Sequence, residues 1–224
     1  VILSNLGAIE KEAEEWEAAL RYFEKALDIE PNLAEVHSNL GSTLQELGRL
    51  DEAEASYTQA ITLKPDLVEA HFNLGNTLQD LGKLDEAKAS YTQALTLKPD
   101  LSEAHFNLGN TLQGLGKIDE AEACYTNAIA LKPDYLGAHS NLGSLLQEVG
   151  RLEEAEASYT QAIALNPDFA EAHNNLGSTL QKMGRFDAAE ASYTKAIALK
   201  SDIAEAHYNL GSTLHELGRL EEAI

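Results

Sequence analysis

The sequence predicts an all-α solenoid, a tandem array of helix–turn–helix units. Two observations carry that expectation. An Asn-Leu-Gly triplet begins at Asn5, Asn39, Asn73, Asn107, Asn141, Asn175 and Asn209, each step being 34 residues. A fixed period between about 20 and 50 residues marks a stack of supersecondary units, not one globular core. Each period also carries two apolar stripes at helical spacing, separated by a glycine turn.

The stretch from Val68 to Leu101 shows the logic of one unit. His71, Leu74, Leu78 and Leu81 form the stripe of a first helix, and Gly82-Lys83 breaks it. Leu84, Ala87, Tyr91, Ala94 and Leu95 form the stripe of a second helix. Pro99 stops that helix, because proline has no amide donor and clashes with the preceding turn. Asp85-Glu86 at its start and Lys98 at its end suit the helix macrodipole. Asp66-Leu67-Val68-Glu69 reads as a capping box for the first helix, and Asp100…Glu103, Asp168…Glu171 and Asp202…Glu205 repeat it.

The series His71-x2-Leu74-Gly75-x2-Leu78, Ala87-x3-Tyr91, Ala94 and Pro99 resembles the tetratricopeptide repeat (TPR). It departs from the usual pattern in having His where Trp is common and Leu where Tyr is common. The resemblance covers the whole chain. It implies a right-handed superhelix with first helices on the concave side and second helices on the convex side. Each repeat of such an array buries its stripe only against its neighbours.

In chain order, a divergent partial repeat spans 1–33. It has Glu14 where later copies have the interhelix glycine, and Trp16 where they have Leu, Ile or Phe. Full repeats follow at 34–67, 68–101, 102–135, 136–169 and 170–203, then a partial repeat at 204–224. Ser201 replaces proline in the last full copy, and its flanking Lys200 and Asp202 are expected to preserve the helix end. No linker or second domain interrupts the single array over 1–224. The chain starts and ends inside helices, the last at Glu221-Glu222-Ala223-Ile224. Its apolar end face is expected either to continue into a longer protein or to pair end to end with another copy.

Composition narrows the partners. The formal charge is −21 and the pI near 4.5. Phosphate binding needs clustered Lys and Arg, so nucleic acid and anionic membranes are not expected partners. The charge serves solubility and helix capping, or it attracts basic ligands. Cys124 is the single cysteine, so no intrachain disulfide forms. It reads as a small filler, with Ser56, Ser90, Ser158 and Ser192 at equivalent places. No apolar run approaches the about 18 residues of a membrane span. With no visible signal peptide, the expected location is cytoplasmic.

The amides are the sharpest candidates. Glu69, Asn73, Asn76 and Asp80 fall on one stripe of the first helix, turned away from the apolar one. Stacking places Asn39, Asn73, Asn107, Asn141, Asn175 and Asn209 in a row. A carboxamide is both donor and acceptor, so it can pair with a peptide N–H and C=O together. Two roles suit this row: holding the main chain of an extended peptide, or bridging neighbouring first helices. Asn110 repeats Asn76, and Gln45, Gln79, Gln113, Gln147 and Gln181 form a second amide row that ends in His215. Phe72 and Phe106 suit either an exposed apolar anchor or contact between adjacent first helices. The Asn-Leu-Gly array also resembles the repeat region of the O-GlcNAc transferases, which implies a row that grips protein substrates.

His37, His71, His105, His139, His173 and His207 occur once per repeat, too far apart for a tetrahedral metal cluster, and are expected to pack. No nucleophile–base set, phosphate-cradling loop, metal site or cofactor site is suggested. The expected function is a non-enzymatic scaffold binding extended peptide on its concave face. The alternatives are a substrate-recognition region of a larger enzyme, such as a glycosyltransferase, and a self-associating structural solenoid.

Overall fold

The computed structural model describes residues 1–219. It contains thirteen α-helices and no strand among them. They form two compact units divided between Lys117 and Ile118, which is between the two helices of the 102–135 repeat. The first unit holds α1 (Ile2–Glu12), α2 (Trp16–Ile29), α3 (Ala34–Glu46), α4 (Leu50–Leu63), α5 (Val68–Asp80), α6 (Leu84–Leu97) and α7 (Ser102–Gly114). The second holds α8 (Ile118–Leu131), α9 (Leu136–Glu148), α10 (Leu152–Leu165), α11 (Ala170–Lys182), α12 (Phe186–Leu199) and α13 (Ala204–Glu216). Within each unit a helix touches the next in sequence, and first helices touch first helices: α1 with α3, α3 with α5, α5 with α7, and α9 with α11, α11 with α13. This neighbour-only packing is that of a helical-repeat solenoid. No described helix is long and apolar enough to cross a membrane.

The triplet glycine exists for an aromatic ring. A Cβ on Gly75 would lie 2.6 Å from the Tyr91 ring, and one on Gly7 would lie 2.6 Å from Phe23. Gly41, Gly143 and Gly177 meet Tyr57, Tyr159 and Tyr193 in the same way. Tyr57, Tyr91, Tyr125, Tyr159, Tyr193 and Phe23 are all at most 1 % exposed and are the largest side chains in the core. Burial pushes the Tyr159 and Tyr193 phenols up to about 12. Cys124 is half-buried in α8, and burial pushes its thiol up to about 11, so it stays protonated at neutral pH.

The turn between paired helices needs a left-handed residue. Gly48, Gly82, Gly116, Gly150, Gly184 and Gly218 all have φ between 71° and 79°. Glu14 takes the same place at φ 59°. A side chain in this region is strained, so Glu14→Gly should raise stability by about 0.5–1 kcal/mol. A urea midpoint that fails to rise would contradict this.

The loops between repeats hold a correction. The acidic residues read as capping boxes do not cap. The N-caps are Leu67, Leu101, Phe169 and Ile203, and none of these helices has a side-chain cap bond. Leu67 and Ile203, each after its Asp, are extended and turn inward; Leu67 packs on the Tyr57 cluster and Ile203 on the Tyr193 cluster. The helix therefore starts one residue later and leaves the Asp out of reach. Histidine secures the loop instead. Nε2 of His37, His71, His105, His139 and His173 lies 2.8–3.0 Å from the carbonyl oxygen of Pro31, Pro65, Pro99, Pro133 and Pro167 respectively. A carbonyl only accepts, so Nε2 carries the proton. His207 makes the same bond to Ser201 at 2.9 Å, and α12 ends at Leu199 as its counterparts do, so serine leaves the helix end intact.

Charges tie successive second helices together. Lys83 pairs with Glu54 at 2.6 Å, Arg151 with Glu122 at 2.6 Å, and Arg185 with Glu156 at 2.5 Å. The partners lie 29 residues apart, so each pair fixes one repeat against the one before it. At the start of the chain Val1, Ile2, Ile9 and Ile29 are exposed. The apolar face expected at Glu221–Ile224 lies outside the described residues.

Candidate functional site

The amide rows lie where first helices meet. Asn39, Asn73, Asn107, Asn141, Asn175 and Asn209 are all half-buried, as are Asn76, Asn110, Gln79, Gln113 and Gln147. In the first unit Asn107 Nδ2 donates to Asn76 Oδ1 at 2.9 Å, which joins α7 to α5. The Tyr91 hydroxyl lies 2.8 Å from the same oxygen and 3.1 Å from Gln79 Oε1. The Thr111 hydroxyl lies 3.1 Å from Gln79 Oε1 as well. Lys11, at the place later taken by Gln45, donates to Asn39 Oδ1 at 3.4 Å; burial lowers its pKa, and Glu69 and Glu46 oppose that shift. Burial raises the Tyr91 phenol well above its usual value, with Asn107 opposing.

The second unit repeats this construction. The Thr179 hydroxyl lies 2.9 Å and the Tyr159 hydroxyl 3.5 Å from Gln147 Oε1, and Gln147 Nε2 donates to Ser178 at 3.2 Å. Asn141 favours ionisation of the buried Tyr125, whose phenol burial pushes up to about 12. Thr77, Thr111, Thr179 and Thr213 are at most 1 % exposed and bond the carbonyl four residues earlier. These threonines, and the polar ends of the tyrosines, were missed by reading the sequence. Their recurrence at one place per repeat was the available signal; Ile9 and Leu145 are the exceptions.

Each unit opens a polar hollow beside this network. In the first, Gln45, Asn76, Gln79, Asp80, Tyr91 and Asn107 line about 260 Å³. In the second, Ser144, Gln147, Glu148, Tyr159, Asn175 and Lys182 line about 310 Å³. Five of these residues are equivalent by the 34-residue period, so the hollow is a property of the repeat.

Phe72 and Phe106 sit where first helices meet second helices or one another. Both are half-buried, and the Phe72 ring lies 6.0 Å from that of Tyr91. Only Tyr208, at the same place in α13, is exposed. Of the histidines that occur once per repeat, His71 is buried, His207 exposed and the others half-buried. Among the described residues no three His, Cys, Asp or Glu side chains are grouped to hold a metal ion. A larger hollow of about 570 Å³ lies elsewhere, among Ile129 of α8, Leu142 of α9 and Ala157 of α10, and contains none of the amides of the rows.

The family of the cilia and flagella-associated protein 70 C-terminal domain, a TPR domain, matches residues 32–224, and the TPR repeat itself matches residues 7–48. The chain belongs to this tetratricopeptide-repeat family. The TPR chain is also similar to several solved structures. YrrB, described as a TPR protein with an unusual peptide-binding site, has 24 % identity and a TM-score of 0.73 over 88 % of this chain and 97 % of its own. MamA has 25 % identity and a TM-score of 0.71 over 77 % of this chain and 94 % of its own. PilF of Pseudomonas aeruginosa has 18 % identity and a TM-score of 0.73 over 85 % and 86 %. No curated protein matches the TPR chain.

Proposed function

We propose that this TPR chain is a protein-interaction scaffold that holds the main chain of an extended peptide against its rows of asparagine and glutamine. The observation that carries the reading is the recurrence of one polar hollow, with equivalent walls, in both units. A surface that repeats every 34 residues suits a ligand that also repeats, and the repeating part of a peptide is its backbone. Asn107 shows how the two roles first considered for the row combine. It spends an N–H on Asn76, while its carboxamide oxygen can still accept from a peptide N–H. The bridge fixes the amide in place, which lowers the ordering cost of binding.

On this reading the partner is a disordered or extended protein segment in the cytoplasm, and the chain itself does no chemistry. The likeness to O-GlcNAc transferase repeats rests on the Asn-Leu-Gly register; it would make the array a substrate-recognition region beside a catalytic domain. Titration of a peptide selected on an array tests the proposal. Saturable binding that is lost on substitution of the asparagines supports it, and selection only of folded proteins contradicts it.

A further inference from the structure

The two hollows differ at one place, and the difference changes what their asparagines can do. In the first, Asn76 of α5 reaches the asparagine of the next repeat, and Asn107 Nδ2 donates to its oxygen at 2.9 Å. In the second, the periodic equivalent of Asn76 is Ser144, which is exposed. The shorter serine makes no hydrogen bond with Asn175, the equivalent of Asn107. Asn175 Oδ1 accepts from the buried Asn174 at 3.4 Å, and Asn175 Nδ2 has no acceptor among the described residues. Asn175 lines the hollow, so its N–H groups are left for what enters there.

The same exchange recurs along the row. Ser42 stands before Asn73, and Ser178 before Asn209, at the spacing of Asn76 and Asn107. Serine at this place bonds in the opposite direction. Ser178 accepts from Gln147 of the preceding repeat at 3.2 Å, and Ser212 from Gln181 at 3.4 Å. Asparagine thus ties up the amide of the next repeat, whereas serine leaves it alone. The tyrosine follows suit. The Tyr91 hydroxyl lies 2.8 Å from Asn76 Oδ1 and 3.1 Å from Gln79 Oε1, but the Tyr159 hydroxyl lies 3.5 Å from Gln147 Oε1. The second hollow therefore has an unspent carboxamide N–H and a loosely held O–H on its walls.

We propose that the residue at the place of Asn76 and Ser144 sets which asparagine of the row donates to the ligand. On the peptide-binding reading, on which this rests, Asn175 donates to a main-chain carbonyl of the bound peptide. Asn107, whose N–H goes to Asn76, contributes its oxygen instead. Ser144 is a positioning residue, acting through Asn175 by withholding an acceptor.

A mutant cycle tests this, with an array-selected peptide titrated against the whole chain. Asn175→Ala should weaken binding by about 3- to 10-fold, the loss of one net hydrogen bond. Ser144→Asn rebuilds the bridge of the first unit. It should weaken binding by a similar factor and leave Asn175→Ala almost without further effect. Ser144→Leu has nearly the shape of that asparagine but accepts no hydrogen bond, so the full effect of Asn175→Ala should persist in it. An equal cost of Asn175→Ala in all three backgrounds would overturn the proposal and leave the backbone clamp standing. Loss of its effect in the leucine background would also overturn it, because filling the hollow would then be enough. No effect of Asn175→Ala in the parent overturns it too. If replacing Asn107 and Asn141 as well still changes nothing, the peptide-binding reading falls with it.

Discussion

Tyr91→Ala is expected to cost about 3–5 kcal/mol of stability, as deletion of a buried aromatic does. The ring is fully buried, and it fills the only space that Gly75 leaves by having no Cβ. The cavity cannot collapse easily, because it is bounded by the backbone of α5 itself. The hydroxyl also leaves Asn76 and Gln79, so the wall of the hollow loses a partner at the same time. Because a repeat contacts only its neighbours, the loss should concentrate in α5, α6 and α7. Hydrogen exchange resolved by helix should show these three losing protection first, while α1 and α2 keep theirs. Uniform loss along the chain would contradict this. Tyr91→Phe keeps the ring and should cost only the hydrogen bonds, about 0.5–1.5 kcal/mol.

The combined substitution of Asn107, Asn141 and Asn175 by alanine should weaken binding of an array-selected peptide by on the order of 10- to 1,000-fold. Each asparagine is assigned a main-chain hydrogen bond worth about 0.5–1.5 kcal/mol net, and three such bonds give that range if they add. The range takes the three contributions as additive, as for separate sites. Helix content should remain, because alanine is the better helix former and Asn76 Oδ1 retains Tyr91 when Asn107 is lost. Far-UV circular dichroism beside the titration separates the outcomes. Intact helices with unchanged affinity would mean that the row only lines the surface. Lost helices would mean that bridging of first helices is its whole role.

The fold was legible because it is written seven times. One period fixed the helices, and the places of Gly75, Tyr91 and Pro99 in it fixed their packing and ends. Ends that depend on a single side chain's direction were less legible. Asp66 and Glu69 have the spacing of a capping box, yet Leu67 between them gains more by packing on the core and shifts the helix start. The histidines lie in the apolar stripe by period, and nothing in the spacing reveals that the ring reaches a carbonyl six residues back. The amide rows were visible as a pattern. Their supports were not, because a buried threonine or tyrosine reads as core until its hydroxyl is placed beside Gln79 or Gln147. Phe72 was left between two roles by its helical angle; in the structure it is half covered and meets Tyr91.

The claim that the rows hold a peptide by its backbone is tested most directly by changing the ligand's backbone and leaving its side chains alone. A selected peptide and its counterpart with alternate backbone nitrogens methylated would be titrated against the same protein by calorimetry. Methylation removes the N–H donors that the amide oxygens are proposed to accept. The account predicts a loss of about 10-fold or more in affinity, the equivalent of losing one to two net hydrogen bonds. Equal affinity for the two peptides would show that side chains carry the recognition, and would contradict the backbone clamp.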